Sequence, residues 1–398
     1  MLLYKTIIGI NKQLNKLVNI PFTQLESGAD SLTKAGELMS SVGAKKAMIV
    51  TGRSSSMAIM PQLCESLKAH DIDYAIFNQV MPDPTIATVA NGADFYKQFE
   101  CDSIIAIGGG SPIDCAKVIG AKVVKDRPVR TMAGKLKIRR KLPPFMAIPT
   151  TAGTGSEATV AAVITDPSAQ QKFAIIDPVL LPDFAILDPR LMTSLPAAMT
   201  AATGMDALTH AIEAYIGTYH TTLSDNYATE AIQKIFTNLP IAYENGQDLK
   251  AREEMAWASY EAGCAFTRAF VGYVHAIAHQ LGGMYHIPHG QANAVLLPSV
   301  LRLLQPYCRQ RLDKLADIIS QKGGNAFIEA VSNLNKQLNI PEGFKELKAE
   351  DIPLIAKRAL EEAHGTYPVP GYLSQKQCEQ LLHSLLIEEV EKEDTVTA

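Results

Sequence analysis

Short apolar runs alternate with segments of helical spacing through the first half of the chain. KKAMIVT, DYAIF and SIIAIGGG each predict a buried strand, because they are mostly apolar and contain β-branched residues. The segments that follow the last two, ATVANGADFYKQF and PIDCAKVIGAKVV, repeat apolar residues at the 3.6-residue period of a helix. This alternation is typical of a parallel sheet covered by crossover helices, so we predict an α/β domain over residues 1–190.

The pattern changes after LPDFAILDP to long amphipathic stretches such as AAMTAATGMDALTHAIEAYIG and SDNYATEAIQKIFTNLPIAYEN. Few β-branched runs follow, and the spacing predicts a helical bundle. Pro189 and Pro196 bracket a short turn between the two patterns. We therefore place the boundary near residue 190 and predict an all-α domain over residues 191–398.

Composition narrows the possible partners. With 398 residues, 47% of them apolar, the chain can form two packed domains. A formal charge of -4 does not provide the basic surface that nucleic acid requires, so we expect small-molecule partners. Six scattered cysteines fit reduced thiols in a cytoplasm. Lysines interrupt the N-terminal apolar segment, so a signal peptide is not expected. No apolar run is long enough to cross a bilayer, so a membrane span is not expected either.

Two glycine-rich segments follow predicted strands and suit a nucleotide. In SIIAIGGGSPIDCAK, Gly109 and Gly110 let the backbone approach a pyrophosphate, and the following helix presents free N–H groups to the anion. Ser111 is predicted as the N-cap and Asp114 as its capping-box partner. The second segment, PTTAGTGSEAT, places hydroxyl-bearing residues around glycines. It does not match the G-x-G-x-x-G fingerprint, so we expect nucleotide-binding loops with a different sequence pattern.

Four histidines and one aspartate have the spacing of a metal site. Asp206 and His210 lie four residues apart, as do His275 and His279, and each pair falls on one face of a predicted helix. His289 follows the Gly-Gly pair in HQLGGMYHIPHG, on what we predict to be a loop that folds back. Asp206 with three of the four histidines could bind one divalent ion, and these ligands suit Fe(II), Zn(II) or Mn(II).

Taken together, GGGSPIDCAK, PTTAGTGSEAT, GMDALTHAIEAY and GYVHAIAHQLGGMYHIPHG resemble the motifs of the iron-containing, or group III, alcohol dehydrogenases over nearly the whole chain. The resemblance implies an α/β nucleotide-binding domain, a helical metal-binding domain and a homodimer. It also implies that Fe(II), or alternatively Zn, is bound by Asp206, His210, His275 and His289, with His279 as a catalytic proton relay.

The resemblance implies cofactor-binding roles as well. Pyrophosphate is expected at Gly109, Gly110 and Ser111, and the nicotinamide half at Thr150, Thr151 and Thr154. Further cofactor positions implied by the resemblance are Asp83, which stands where the family commonly has Asn, Asp114, Lys172 and Leu191.

The segment after the first predicted strand favours NADP over NAD. Many NAD-using members have Asp where this chain has Gly52, and that Asp would repel a 2′-phosphate. Here Arg53 and Ser54 follow Gly52 and could donate to such a phosphate.

The expected reaction is hydride transfer between a primary alcohol and its aldehyde, with the metal as Lewis acid. A polyol dehydrogenase of the same fold, a dehydroquinate synthase-like lyase and a non-catalytic binding module are the alternatives. The lyase needs a cluster of cations, and Arg268 is the obvious one near the metal motifs. Phe266, Phe270 and Tyr367 are candidates for the substrate pocket.

Overall fold

The computed structural model describes residues 20–52, 59–169 and 171–387, together with residues 4, 6, 8, 9 and 12. Within this part of the chain the strands are β1 Gln24–Ser27, β2 Lys46–Gly52, β3 Asp73–Val80, β4 Ser103–Gly108, β5 Gly134–Lys135, β6 Phe145–Pro149, β7 Ala161–Asp166, β8 Gln171–Ile176 and β9 Phe184–Leu187.

Six strands form a fully parallel sheet in the order β1-β9-β6-β4-β2-β3. Strand β4 is buried along its whole length, as expected for a strand covered on both faces. Two separate apolar clusters lie on the two faces of the sheet. Because β4 and β6 are parallel neighbours, the loops after Gly108 and after Pro149 leave the same edge of the sheet side by side.

The helices of the α/β part are α1 Ala35–Ser41, α2 Met60–Lys68, α3 Ile86–Gln98 and α4 Gly110–Val124. The second part is helical, with α5 Ala197–Ile216, α6 Thr222–Glu244, α7 Leu249–Ala269, α8 Tyr273–Tyr285, α9 His289–Ile318, α10 Gly324–Gln337, α11 Ile352–Thr366 and α12 Gln375–Ser384. One apolar cluster runs through these helices. The predicted fold class, an α/β part followed by an all-α part, is confirmed.

A second sheet of three strands, in the order β5-β8-β7, was not predicted from the sequence. Strands β7 and β8 pair antiparallel as a hairpin, and Gly134 and Lys135 add a short edge strand. Alternating burial along AAVITD, together with the Asp-Pro-Ser turn that follows, is the signal that indicates this hairpin. The basic segment around residue 138 begins at this edge strand.

The start of α4 differs from the prediction. Gly109 is the N-cap and makes no side-chain cap, so Ser111 lies inside the first turn. Asp114 does not complete a capping box either: its Oδ1 accepts from Ser156 Oγ (2.6 Å) and its Oδ2 from the backbone N–H of Val163 (2.8 Å). The carboxylate is therefore used to join α4 to the second glycine-rich loop.

In the described part of the chain, no helix combines the length and apolarity needed to cross a membrane.

Candidate metal and nucleotide site

Three helices bring the predicted metal ligands together. Helix α5 carries Asp206 and His210, α8 carries His275, and α9 begins at His289. Asp206 Oδ1 lies 3.9 Å from His210 Nδ1, 3.8 Å from His275 Nε2 and 3.7 Å from His289 Nε2. One carboxylate oxygen thus faces three imidazole nitrogens, as one shared cation requires.

The chain path to His289 differs from the predicted loop. Gly282 lies within α8, which continues to Tyr285 instead of breaking at the Gly-Gly pair. The chain reverses at His286, whose φ is 57°, and His289 is the first residue of α9 rather than a loop residue. A Cβ at Gly282 would lie 3.4 Å from Lys172 Nζ, so this glycine allows Lys172 to approach the helix.

Local contacts orient the imidazoles toward a common point. His275 Nδ1 lies 2.7 Å from Glu213 Oε2, and Glu213 also accepts the backbone N–H groups of Gly272 and Val274. Since the Glu213 oxygens act as acceptors here, His275 donates through Nδ1 and keeps an unprotonated Nε2. Asn293 Nδ2 lies 2.7 Å from Asp206 Oδ1 and 3.2 Å from Nε2 of both His275 and His289.

The donor set fits a divalent cation. Ligand atoms of Asp206, His210 and His275 lie within 4.8 Å of one another, and all three residues are buried. His210 Nδ1 is buried without a hydrogen-bond partner in the described structure, which is costly unless a ligand occupies it. Burial lowers the pKa of His210 and His275 and lowers that of His289 to about 4, so the imidazoles are neutral and can bind a metal.

His279 lies beside this group and has its own partners. Its Nδ1 lies 2.7 Å from Glu362 Oε1, which also accepts from Tyr367 Oη at 2.7 Å. Burial alone would raise the pKa of Glu362, but His279, Tyr367 and Gln280 lower it overall. Burial and the Glu362 carboxylate raise the pKa of Tyr367, which therefore remains a donor. The result is an oriented imidazole with a carboxylate behind it.

The two glycine-rich loops pack edge to edge. A Cβ at Gly110 would lie 2.6 Å from Thr154 Cγ2, and one at Gly109 would lie 3.4 Å from the Thr151 side chain. Lys117, which is fully buried on α4, donates to the carbonyls of Ser156, Thr159 and Ala161 and to Thr159 Oγ1 at 2.6 to 2.9 Å. Side chains larger than hydrogen are excluded from this cradle, as close approach of a pyrophosphate requires.

A cavity of about 270 Å³ connects the loops to the metal ligands. Its lining includes six of the predicted cofactor residues: Asp83, Gly110, Ser111, Asp114, Thr154 and Lys172. Phe266, Phe270 and Tyr367, the predicted substrate-pocket residues, also line it, together with His279 and the four predicted metal ligands.

The other predicted cofactor residues lie off the cavity or outside the described structure. Gly52 ends β2, Gly109 and Thr151 contact each other, and Thr150 donates its N–H to the Gly108 carbonyl. Leu191 is buried in the cluster on one face of the sheet. Arg53 and Ser54 lie outside the described residues.

Lys172 and Asp83 form an ion pair at 2.6 Å, and the Lys172 side chain is only 10% exposed. The Asp83 carboxylate therefore has a partner within the chain, although it lines the cavity and is 46% exposed. Sequence reasoning did not identify this pair, nor the roles of Glu213, Asn293 and Glu362. Glu213 follows His210 by three residues on the same helix face, the one signal that could have indicated it.

A cluster of imidazoles and one carboxylate that fits a divalent cation, facing two loops that fit a nucleotide, is typical of a metal-dependent oxidoreductase with a nucleotide cofactor. The sequence profile described as iron-containing alcohol dehydrogenase matches residues 23–189, and that of the C-terminal part of the Fe-containing alcohol dehydrogenase family matches residues 200–386. The chain belongs to the iron-containing alcohol dehydrogenase family, and it is an oxidoreductase with a divalent metal and a nicotinamide cofactor.

Relatives cover most of the chain. The NAD-dependent methanol dehydrogenase of Bacillus methanolicus is 39% identical over 84% of this chain and 91% of its own length. The 1,3-propanediol dehydrogenase of Citrobacter freundii is 40% identical over 85% and 90%. The crystal structure of a 1,3-propanediol oxidoreductase superposes with a TM-score of 0.89 at 36% identity, covering 92% of this chain and 99% of that one.

Proposed function

We propose that this protein transfers hydride reversibly between a primary alcohol or its aldehyde and a nicotinamide cofactor held between the two glycine-rich loops and the metal ligands. The observation that carries this proposal is the single cavity lined by Gly110, Ser111 and Thr154 on one side and by all four metal ligands on the other. A reaction centre between cofactor and metal needs this continuity, because the reacting atoms must be in contact.

Asp206, His210, His275 and His289 would hold the cation, for which we propose Fe(II), with Zn(II) as the alternative. When bound, the cation supplies Lewis acidity, which favours the alkoxide form of an alcohol and polarises an aldehyde carbonyl. The apolar walls of Phe266 and Val271 exclude water from the same region.

His279 is proposed to move the alcohol proton, because its imidazole is oriented by Glu362 and is partly exposed, with 16% of the side chain accessible. His279→Ala is expected to slow turnover by about 10²- to 10⁴-fold, the usual contribution of one general acid–base group, while bound metal stays near normal. Steady-state kinetics and metal analysis check this, with His383→Ala at an exposed position as control. Metal loss as large as in a His275→Ala variant would contradict the assignment.

NADP is the proposed cofactor, on the basis of Gly52 and the following Arg53 and Ser54. The Asp83 carboxylate is engaged by Lys172 and so is less available to adenosine ribose. The check is the ratio of kcat/KM for NADPH and NADH with one aldehyde. An Arg53→Ala variant should reduce that ratio, whereas a preference of the wild type for NADH would reject the proposal.

A lyase reaction on a phosphorylated acid is less well supported. Lys172 is the only Lys or Arg among the described residues that line the cavity, and it is already paired with Asp83. Arg268 donates to the carbonyls of Cys264, Ile20 and Pro21 and does not line the cavity. A dianionic substrate would find little cationic support there.

The test of the proposed function is an absorbance assay of nicotinamide oxidation with a panel of aldehydes and diol-derived aldehydes, after loading with Fe(II) or Zn(II) under anaerobic conditions. Aldehyde-dependent turnover that requires the metal supports it. If the metal-loaded protein binds the reduced cofactor but none of the aldehydes in the panel leads to its oxidation, the proposed function is rejected. A homodimer and a cytoplasmic location stay predictions, to be measured by light scattering and by cell fractionation.

A further inference from the structure

Phe270 has a strained backbone at the edge of the cavity. It follows the last residue of α7 with φ 64° and ψ −175°, a combination that is essentially restricted to glycine. A phenylalanine persists in such a conformation only where the surrounding contacts determine it. Backbone strain of this kind is concentrated at functional sites, so the ring position needs an explanation.

The backbone on both sides of Phe270 is fixed. Its N–H donates to the Phe266 carbonyl at 2.7 Å, which completes the last turn of α7. Two residues later, Gly272 donates to Glu213, and a Cβ at Gly272 would lie only 2.9 Å from Glu213 Oε1. The same carboxylate orients His275. The loop that places the Phe270 ring is therefore anchored to the metal-binding helices.

The ring itself lies between the two parts of the molecule. Tyr219, just beyond the end of α5, meets it edge-on, with centroids 5.8 Å apart and planes at 86°. Lys135 Nζ lies 4.4 Å from the centroid. Lys135 belongs to edge strand β5 and is exposed, and it pairs with Ile176, another residue of the cavity wall. The ring is thus held between the helical part and the small sheet, with solvent beyond Lys135.

The cavity wall near Phe270 is apolar. Phe266 stacks on His210 with centroids 4.2 Å apart, and Val271 follows Phe270 in the lining. The hydroxyls of Tyr367 and Thr267 are partly used, because Tyr367 donates to Glu362 and Thr267 Oγ1 accepts from the Val160 N–H. A second substrate hydroxyl in this region would lose its hydration in exchange for a hydrogen bond with a neutral hydroxyl, which is a weak compensation.

We propose that Phe270, held in place by Lys135, closes the substrate end of the cavity and restricts the enzyme to short, unbranched alcohols and aldehydes with an apolar tail, in preference to diols. This inference rests on the proposed function and specifies the substrate class of the same site.

The test compares wild type with Phe270→Ala and Phe270→Gly on propanal, hexanal, benzaldehyde and 3-hydroxypropanal. Glycine accepts a φ of 64°, so Phe270→Gly removes the ring even if the alanine variant folds poorly. In wild type, kcat/KM for propanal should exceed that for 3-hydroxypropanal. The hexanal-to-propanal ratio of kcat/KM should rise by about tenfold or more in both variants, the scale on which apolar pockets discriminate size. An unchanged ratio, or wild-type preference for 3-hydroxypropanal, would overturn the proposal. Phe99→Ala, at an exposed position in the α/β part, is the matched control.

Lys135 is tested as a positioning residue. Lys135→Met should shift the same ratio in the same direction by a smaller factor, and Lys135→Arg should restore it, because arginine also interacts with an aromatic face. Equal ratios in wild type and Lys135→Met would overturn the positioning role.

A second arm measures binding without turnover. Calorimetric affinities of N-alkylformamides, which resemble aldehydes but are not reduced, should depend on chain length in wild type and lose that limit in the Phe270 variants. If no aldehyde is reduced but this binding pattern is found, the proposed function fails while the role of Phe270 stands. If aldehydes are reduced but neither the kcat/KM ratio nor the binding pattern changes in the Phe270 variants, the proposed function stands while the role of Phe270 fails.

Discussion

At the scale of single residues, one buried carboxylate links the metal ligands to the loop before them. Glu213 is 3% exposed and accepts from His275 Nδ1 and from two backbone N–H groups. Burial raises its pKa to about 7, and hydrogen bonds from the backbone of Gly272, Val274 and His275 oppose the rise. A carboxylate in this position fixes the ring and the tautomer of a metal-binding histidine.

Replacing Glu213 by Gln should therefore weaken metal binding while leaving all four ligands in place. The expected loss of metal affinity is about 10- to 100-fold, the usual effect of removing a partner of a ligand histidine. Metal-buffer titration followed by elemental analysis measures it. Glu261→Gln is the control, since Glu261 is also buried but pairs with Lys234 elsewhere. Equal affinities in the two variants would contradict the role assigned to Glu213.

Individual site residues were predictable from the sequence where their spacing matches one turn of a helix. Asp206 with His210, and His275 with His279, are pairs four residues apart, and both pairs lie within helices as predicted. Glu213, Asn293 and Glu362 were not predictable, because one polar residue on an amphipathic helix is usually on its solvated face. Only the packing of α5, α8, α9 and α11 gives these residues their partners.

At the scale of elements, two residues of α4 hold the second glycine-rich loop against the first. Asp114 accepts from Ser156 and Val163, and Lys117 donates to four oxygens of the same segment. Burial lowers the pKa of Lys117 to about 8, against the charges of Asp114 and Glu157. The proposed cofactor cradle thus depends on two charged residues, of which Asp114 lines the cavity and Lys117 is fully buried behind it.

Asp114→Asn is expected to raise KM for the nicotinamide cofactor by about tenfold, because one lost hydrogen bond to a buried charged group is worth roughly 1–3 kcal/mol. Metal content should not change. Initial-rate kinetics and metal analysis check both. Asp102→Asn is a matched control, since Asp102 also accepts backbone N–H groups, those of Lys45 and Lys46, but at the opposite edge of the sheet. A similar rise in both variants would indicate general destabilisation instead.

Element prediction succeeded where a local pattern was strong. Helix α4 follows the Gly108 turn, but its start was placed wrongly, because the glycine N-cap makes no side-chain bond that a capping-box pattern could indicate. The β7–β8 hairpin was missed, because burial alternates along the six residues of β7 but not along β8. Helix α8 continues through Gly282, where Lys172, distant in sequence, packs beside it.

At the scale of the whole molecule, Glu157 lies where the α/β part meets α7. It is 1% exposed, and its Oε1 has no hydrogen-bond partner in the described structure. The adjacent Gly155 packs against Ser259 and Gly263 of α7. Burial raises the pKa of Glu157 to about 7, and the nearby Lys117 opposes the rise. Tyr260 and Cys264 of α7 also lie near this carboxyl group.

This burial predicts a pH dependence of stability. The folded state binds a proton more tightly than the unfolded state, whose pKa is 4.5. The stabilisation from the buried, protonated Glu157 is therefore fully present below pH 4.5 and is lost as pH rises to about 7, by at most about 3.5 kcal/mol at roughly 1.4 kcal/mol per pH unit. Denaturant unfolding from pH 5 to 8 should show a flatter profile for Glu157→Gln than for wild type or an exposed Glu361→Gln control. Parallel profiles would contradict the burial of a protonated Glu157.

The division into an α/β and a helical part was predictable, because the hydrophobic period changes once along the chain. A cleft between the parts was expected, but the contacts that form its walls were not predictable, since they depend on which loop of one part packs on which helix of the other. Lys135 against Phe270 and Gly155 against Gly263 are contacts between residues more than 100 positions apart. No local pattern contains that information.

The proposed function depends on one shared cation held by Asp206, His210, His275 and His289 and facing the nucleotide loops. Its position can be measured in crystals of protein loaded with Fe(II), from diffraction data recorded on both sides of the iron absorption edge. We expect one anomalous peak about 2.0–2.2 Å from a ligand atom of each of these four residues. A peak at other side chains, or none in protein that retains iron in solution, would contradict it.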